Sequence, residues 1–136
     1  MSAFTDISAA LDARTNSLAL PTAWENIAFK PTTGTLYIRP TLIPAYTEQA
    51  GLGSNGLDEH VGIYQIDIVS TASLGKGEAI IKADVIADHF KRGLVLTYNG
   101  VNVRLSKTSR GIGKRDHEAF FTIPIFITYQ SFISPR

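Results

Sequence analysis

The sequence contains no cysteine, and this absence removes several kinds of site at once. A chain without thiols forms no disulfide framework, no thiolate zinc site and no cysteine nucleophile, and it is compatible with synthesis in a reducing cytoplasm. No run of apolar residues approaches the roughly 18 that a membrane-spanning helix needs, so we predict no membrane partner. The N-terminal residues include acidic side chains and lack the basic-then-apolar pattern of a secretory signal.

Histidine is also scarce, and its placement gives no catalytic or metal-binding motif. His60, His89 and His117 lie far apart in the sequence, so no two of them have the H-x-x-x-H spacing of a helical metal site. Asp116, His117 and Glu118 are adjacent, but neighbours in an extended segment point alternately and cannot all reach one metal ion. No G-x-S-x-G nucleophile elbow is present. We therefore predict no enzymatic activity, no metal and no cofactor.

Two further motifs have the residue types and spacing of functional sites, but the predicted structure around them does not fit such sites. Gly51, Gly53 and Gly56 spell G-x-G-x-x-G, which binds a dinucleotide only when it follows a strand and opens a helix. Here a proline-broken segment precedes the glycines and a strand pattern follows them. Asp84 and Asp88 are one helical turn apart and could form a carboxylate pair, but the polar face of an amphipathic helix normally lies in solvent.

The composition is that of one folded domain with an uneven distribution of charge. The 136 residues are 44% hydrophobic and 18% charged, which predicts a single domain over residues 1–136. The formal net charge is only +1. Residues 1–90, however, contain five basic and ten acidic side chains, whereas residues 91–136 contain eight basic and two acidic. A chain with one acidic and one basic part could stack head-to-tail or bind a polyanion.

Residues 60–93 show the clearest pattern and predict a strand, a glycine-marked turn and an amphipathic helix. Residues 61–69 alternate between two faces, as in a strand. From Glu78 onward apolar residues recur at helical spacing, and Gly93 stands where a glycine would end the helix. The predicted inner face of this helix comprises Ile80, Ile86 and Phe90. Ile81 and Val85 fall among the charged residues of the outer face, either as ordinary exposed apolar side chains or as a contact surface.

Strand and turn signals cover most of the remaining chain. The predicted elements before residue 60 are a helix over 4–16, a short strand over 27–29, a strand from Thr35 to about Ile43 and a loop over 45–59. Pro40 and Pro44 cannot donate hydrogen bonds to a sheet, so the strand that begins at Thr35 lies at an edge or ends in irregular chain. The predicted elements after residue 93 are a hairpin of 94–98 and 101–105, a basic loop over 106–117 and a strand over 119–129. Asn99-Gly100 favours a type I′ turn, and Pro124 implies an edge or a bulge.

Five basic residues lie within twelve positions of the C-terminal part, with no acidic residue among them. They are Arg104, Lys107, Arg110, Lys114 and Arg115. The segment is interpreted either as a solvated loop or as a contact for a polyanion such as DNA. Binding of the second kind would be independent of sequence and sensitive to salt.

Several short segments, spread along nearly the whole chain, occur in an order and spacing typical of one family. They are Trp24-Glu25-Asn26 with Phe29 and Pro31, Tyr37-Ile38-Arg39 with Pro44, Gly62 to Asp67, Gly77 to Ala79, Ala83-Asp84 with Ile86 and Phe90, and Thr122 to Ile125 with Tyr129. In this order and spacing the chain resembles the tail terminator family of long-tailed bacteriophages, small minor tail proteins that cap the tail tube. The family has no catalytic motif.

The resemblance implies an α+β fold with a mixed, mainly antiparallel β-sheet and two helices packed on one face. It implies a homo-oligomer, a hexameric ring, that sits on the finished tail tube, stops its polymerisation and presents a surface to a head or neck completion protein. The expected location is the virion tail, after assembly in the host cytoplasm. The expected partners are further copies of the chain, the tail tube protein and the head or neck protein.

A closed ring needs two different contact surfaces on each subunit. The sequence offers Ile81 and Val85 on the outer helix face, and Phe120 and Phe126 on the last strand, as interface candidates. If the five basic residues line the channel or meet the tube, they could contact genomic DNA transiently during its passage. Two alternatives stay open: another neck or tail component, such as a head-tail joining protein or a tube subunit, and a non-specific nucleic-acid-binding module.

Overall fold

Two helices and six strands make up the described part of the protein. The computed structural model describes residues 3–25, 27–30, 35–49, 56–71, 75–111, 113–117 and 120–133. In chain order the elements are α1 (Ala3–Asn16), β1 (Tyr37–Gln49), β2 (Asp58–Thr71), α2 (Gly75–His89), β3 (Val95–Tyr98), β4 (Val101–Arg110), β5 (Lys114–His117) and β6 (Phe120–Ile133). Within these ranges neither helix is long and apolar enough to cross a membrane.

The strands form one sheet in which every strand pair is antiparallel. The order is β1-β2-β6-β4-β3, and β5 pairs with β6 beyond the end of β4. The one parallel contact in the described part of the chain is an isolated bridge between Thr22 and Ile38. The predicted α+β class, with a mainly antiparallel sheet and two helices on one face, is confirmed.

The core lies between the two helices and one face of the sheet. Its largest fully buried side chains are Ile7, Leu11, Ile38, Tyr64, Ile66, Ile68, Ile86, Phe90, Leu105, Ile125, Ile127 and Tyr129. The strand members alternate with residues that point away from the helices, as the period of a strand requires. Each buried isoleucine or leucine contributes about 1.5–3 kcal/mol by leaving water, which fixes the register of the sheet against the helices.

The inner face of α2 differs from the prediction at one position. Ala79, Ala83, Ile86 and Phe90 form the buried stripe, whereas Ile80 is 43% exposed. A helix turns by about 100° per residue, so a residue directly after a stripe member falls at the border of that stripe. The prediction was therefore right for two of the three inner residues and wrong for Ile80.

Strand β1 and strand β2 are longer than predicted. The predicted loop over 45–59 is wrong at both ends, because β1 continues to Gln49 and β2 begins at Asp58. A register shift between Pro44 and Tyr46 adds one residue to β1, after which pairing with β2 resumes. The predicted short strand over 27–29 is absent from this structure, where the described residues of that segment form no strand.

The position of β1 at the edge of the sheet is confirmed, and the prolines fit it. Ile38 donates its N–H to the Pro21 carbonyl (2.9 Å) on the side away from β2. Backbone N–H groups point to alternate sides along a strand, so the backbone nitrogens of Pro40, Leu42 and Pro44 point away from β2, as that of Ile38 does. The two prolines have no N–H to leave unpaired there, which is why an edge strand accepts them.

The predicted basic loop over 106–117 is also wrong, because most of it forms strands. β4 runs to Arg110, and β5 continues along the same side of β6. The break between them falls beside Pro124, whose carbonyl accepts the Gly111 N–H (2.8 Å). The nitrogen of Pro124 therefore faces the break, where no ladder donor is needed. This explains a proline inside a central strand, where the sequence predicted an edge or a bulge.

The hairpin of β3 and β4 is confirmed, and the end of α2 is corrected. Asn99 and Gly100 both have positive φ (51° and 80°), as a type I′ turn requires. α2 ends at His89 rather than at Gly93. Gly93 has a φ of 90°, but its N–H donates to the Leu105 carbonyl (2.7 Å) and so extends the hairpin instead of capping the helix.

Candidate functional site

Three of the four residues predicted at a subunit interface have described side chains, and these three fall on two separate parts of the surface. Ile81 and Val85 lie on the outer face of α2, with side chains 64% and 47% exposed. Phe126 lies, partly exposed, on the sheet face that neither helix covers, which we term the open face. Phe120 begins β6, and its side chain lies outside the described part of the chain.

The five predicted polyanion contacts do not share one surface. Arg104 is exposed on the open face, because its neighbours Val103 and Leu105 point into the core. Lys107 is exposed at the free edge of β4, beyond its last pairing with β3. Arg110 turns to the helix side and forms an ion pair with the Asp84 carboxylate of α2. Lys114 and Arg115 belong to β5, and their side chains lie outside the described part.

A shallow hollow lies between the C-terminal half of α2 and the end of β4. Its charged residues, which define what we term the basic hollow, are Asp84, Asp88, Lys91, Arg92, Lys107 and Arg110. Thr108 donates its hydroxyl to the Phe90 carbonyl and ties the end of α2 to β4. Among the described residues, Lys91, Arg92 and Lys107 take part in no ion pair. The hollow therefore carries a surplus of positive charge.

A groove of about 630 Å³ lies at the other edge of the helix layer, between α1, the chain that follows it, and β1. The sequence analysis did not predict it. The residues that define this acidic groove for the argument below are Asp12, Trp24, Glu25, Ile27 and Leu42. Glu25 Oε1 accepts the outward N–H of Leu42 (2.6 Å), which holds the chain after α1 against β1.

A buried hydrogen-bond network supports the wall of the groove. The Tyr64 hydroxyl donates to Asp12 Oδ1 (2.7 Å) and lies 2.9 Å from Thr15 Oγ1. Ser8 Oγ donates to Asp12 Oδ2 (3.4 Å). Burial raises the pKa of Asp12, and the nearby Glu25 carboxylate raises it further. Burial, with the Asp12 charge adding to it, also raises the pKa of Tyr64.

The chemistry of the acidic groove fits a cationic side chain. Asp12 and Glu25 have no cationic partner in the part of the chain that the structure describes. Carboxylates accept charge-assisted hydrogen bonds from lysine or arginine, and the face of a tryptophan attracts the same cations. The lone tryptophan next to a glutamate, Trp24-Glu25, is the sequence signal that could have indicated this site.

No metal or nucleotide site emerges from the described side chains. No three His, Cys, Asp or Glu side chains in the described ranges lie close enough together to hold a metal ion. Asp84 and Asp88 are both exposed, and Asp84 is engaged with Arg110. The side chains of Asp116, His117 and Glu118, and residues 51–55 of the glycine motif, lie outside the described part.

The antiparallel sheet, the helices on one face and the two charged surfaces define a small α+β domain with surfaces suited to protein contact. A family model described as phage tail terminator protein matches residues 6–129. The chain belongs to this phage tail terminator family, as the resemblance in the sequence indicated. Membership makes it a phage tail structural protein and a component of the virion tail.

Comparison with solved structures supports the same fold over the entire length. Seven chains of solved structures match, and one of them is 26% identical, with 100% of each chain covered and a TM-score of 0.80. A search of curated proteins gives no match.

Proposed function

We propose that the protein is a ring-forming tail terminator that caps the tail tube, stops its polymerisation and provides the surface to which the head or neck attaches. The observation that carries this proposal is the family match over residues 6–129. The fold supports it, because a relative of the same length superimposes over its whole chain. The expected oligomer is a hexamer, and the expected partners are the tail tube protein and a head or neck completion protein.

The distribution of exposed apolar residues supports a ring. A ring with rotational closure places two different surfaces of one subunit against its two neighbours. Ile81 and Val85 give the outer face of α2 an apolar patch. The second contact surface predicted from the sequence is on β6, where Phe126 is partly exposed and Phe120 begins the strand. Exposed apolar surface beside polar residues is a feature of protein–protein contact sites.

Contact with DNA during passage belongs to the same proposal. Arg104 and Lys107 are exposed and have no ion pair among the described residues. Lys114 and Arg115 continue the basic segment along β5. Arg110 is already neutralised by Asp84, so we expect it to add less to a contact with phosphates. Such binding should weaken steeply as the salt concentration rises.

The test is an assembly reaction with the purified tail tube protein. Tubes grown with the protein present should have bound density at one end and should stop elongating, as negative-stain imaging would show. Light scattering should give a ring near 89 kDa, because six copies of the 14.8 kDa chain have that mass. Growth of the chain alone into open tubes would instead identify a tube subunit, and tubes that elongate equally with or without it would overturn the proposal.

A further inference from the structure

The acidic groove and the basic hollow lie at opposite edges of the same layer. The acidic groove contains residues of β1, the first strand in the sheet order. The basic hollow contains Lys107 and Arg110 of β4, in the part that extends beyond its pairing with β3. Both surfaces are on the helix side of the sheet. They cannot touch each other within one copy, since β2 and β6 separate β1 from β4.

Each surface combines unpaired charge with exposed apolar area. Within the described residues, Asp12 and Glu25 of the acidic groove form no ion pair. Ile27, which also lines the groove, is 65% exposed. Next to the basic hollow, Ile81 and Val85 lie one helical turn apart along the outer face of α2.

The helix brings this apolar pair next to the charged residues of the hollow. Asp84 and Asp88, which line the hollow, follow Ile81 and Val85 by three residues each, the spacing of neighbours on a helix surface. The acidic surface thus offers carboxylates beside an isoleucine, and the basic surface offers ammonium and guanidinium groups beside an apolar pair.

We propose that the rim of the acidic groove on one copy packs against the rim of the basic hollow on the next copy, with Trp24 and Ile27 against Ile81 and Val85. The inference rests on the ring of the proposed function. It keeps Ile81 and Val85 as one contact surface and places the acidic groove, rather than Phe120 and Phe126, opposite them. A second copy is the occupant because one chain supplies both halves in matching charge and apolar character. The two halves differ, so the contact is head-to-tail and closes only by rotation.

Complementary charge sets the expected behaviour of the contact. Interactions between exposed charges are screened within about 8 Å at physiological salt, so association should weaken as salt rises. Like charges brought face to face oppose association, which makes charge reversal a direct test. Glu25 and Arg92 are suitable positions, because both are exposed and lie on different surfaces.

The experiment compares Glu25→Lys, Arg92→Glu and the double variant by light scattering over a range of concentrations. Each single variant places like charges across the contact, so its association should weaken at least tenfold. The double variant restores opposite charges and should recover most of that loss. An equimolar mixture of the two single variants should also assemble, because alternating copies meet only through opposite charges.

Glu48→Lys and Arg104→Glu serve as matched controls. Both residues are exposed and lie outside the two surfaces, so these reversals should leave the oligomer unchanged. A ring that resists both single variants, or that fails equally with the controls, would overturn the inference while leaving the proposed function intact. A chain that stays monomeric at every concentration and still fails to bind tubes would remove both.

A second measurement uses the absence of cysteine. In the double variant Ile27→Cys/Val85→Cys, the two introduced cysteines are the only thiols, because the natural sequence has none. Oxidation should therefore link neighbouring copies into a ladder of covalent oligomers on a non-reducing gel. Neither single cysteine variant should give more than dimers. The pair Ile27→Cys/Phe132→Cys places the second thiol at exposed Phe132 on the open face and is the control. An equal ladder from that control, or no ladder from the first pair, would contradict the proposed contact.

Discussion

Arg14 and His89 cap each other's helices. The Arg14 guanidinium donates from Nε (3.1 Å) and Nη2 (2.9 Å) to the His89 carbonyl at the end of α2. In return, Nε2 of His89 lies 3.1 Å from the Arg14 carbonyl near the end of α1. The last carbonyls of a helix have no partner within the helix, so each side chain satisfies an acceptor of the other element. The pair fixes the two helix ends relative to each other.

Replacement of Arg14 by alanine should therefore loosen the helix layer. We expect the free energy of unfolding to fall by about 1.5–3 kcal/mol, the usual range for a hydrogen bond with a charged donor. Urea denaturation followed by circular dichroism measures it. Arg14→Lys keeps the charge but loses the two-pronged geometry, so it should recover only part of the loss. Equal stability of wild type and Arg14→Ala would contradict the role assigned to the pair.

His89 should make stability depend on pH below neutrality. Burial lowers the pKa of His89 from its ordinary value of 6.5, and the Arg14 charge lowers it further. As the pH falls below 6.5, the unfolded chain binds a proton that the folded chain binds more weakly, so stability falls. Above that pH both states are neutral and the contribution is flat. The difference between wild type and His89→Gln, measured by urea denaturation from pH 8 to 5, should shrink or change sign toward low pH, whereas a constant difference would refute the effect.

Asp12 should lower the stability of the single chain while it serves the acidic groove. Because burial raises its pKa, ionisation at pH 7 disfavours the folded state. Asp12→Asn keeps an oxygen for the Tyr64 hydroxyl and removes the charge. We expect it to be more stable than wild type at pH 7, with the difference fading as the pH falls from the raised pKa of folded Asp12 to the ordinary value of 3.8, and to associate more weakly. A variant that associates as well as wild type would contradict the groove's role, whatever its stability.

Gly62 should tolerate no side chain. A Cβ built at this position would lie 2.7 Å from the Ile43 carbonyl oxygen and would overlap the Tyr129 hydroxyl. We expect Gly62→Ala to destabilise the fold by about 1–3 kcal/mol, the usual effect of overpacking a tight site. Thermal unfolding measures it. Adding Tyr129→Phe removes the hydroxyl but leaves the ring carbon Cζ 2.7 Å from the added Cβ, so it should restore only part of the stability, while Gly77→Ala, which meets nothing within 4 Å, is the control.

The sequence predicted the elements whose pattern depends on their own residues. The period of α2 and the Asn99-Gly100 turn needed no distant information. The prediction from the sequence failed for residues 45–49 and 106–110, where exposed polar residues such as Thr47 and Lys107 give no apolar alternation. These residues are strands because β2 and β6 supply partners along their whole length. Pairing of that kind is a property of the folded sheet rather than of the segment.

The functional surfaces show the same limit. Asp12, Trp24 and Leu42 come from a helix, an irregular segment and a strand, and only the fold brings them together. The charge asymmetry between the two parts of the sequence favours head-to-tail contact, which stays a prediction. It could not indicate which residues meet, because Arg110 proved to be neutralised by Asp84 and Lys91 and Arg92 were not among the predicted contacts.

The outward side of β1 has a consequence for aggregation. Its N–H groups are occupied by Pro21 and Glu25 at Ile38 and Leu42, and are missing at Pro40 and Pro44. Along residues 38–44 a foreign strand therefore finds no free outward N–H to pair with, so this part of the edge resists the strand addition to which bare edges are prone. Contacts between copies would then be made by side chains, and their strength would depend on charge and on the salt concentration. A protein proposed to end one polymer is thus built so that it does not seed another.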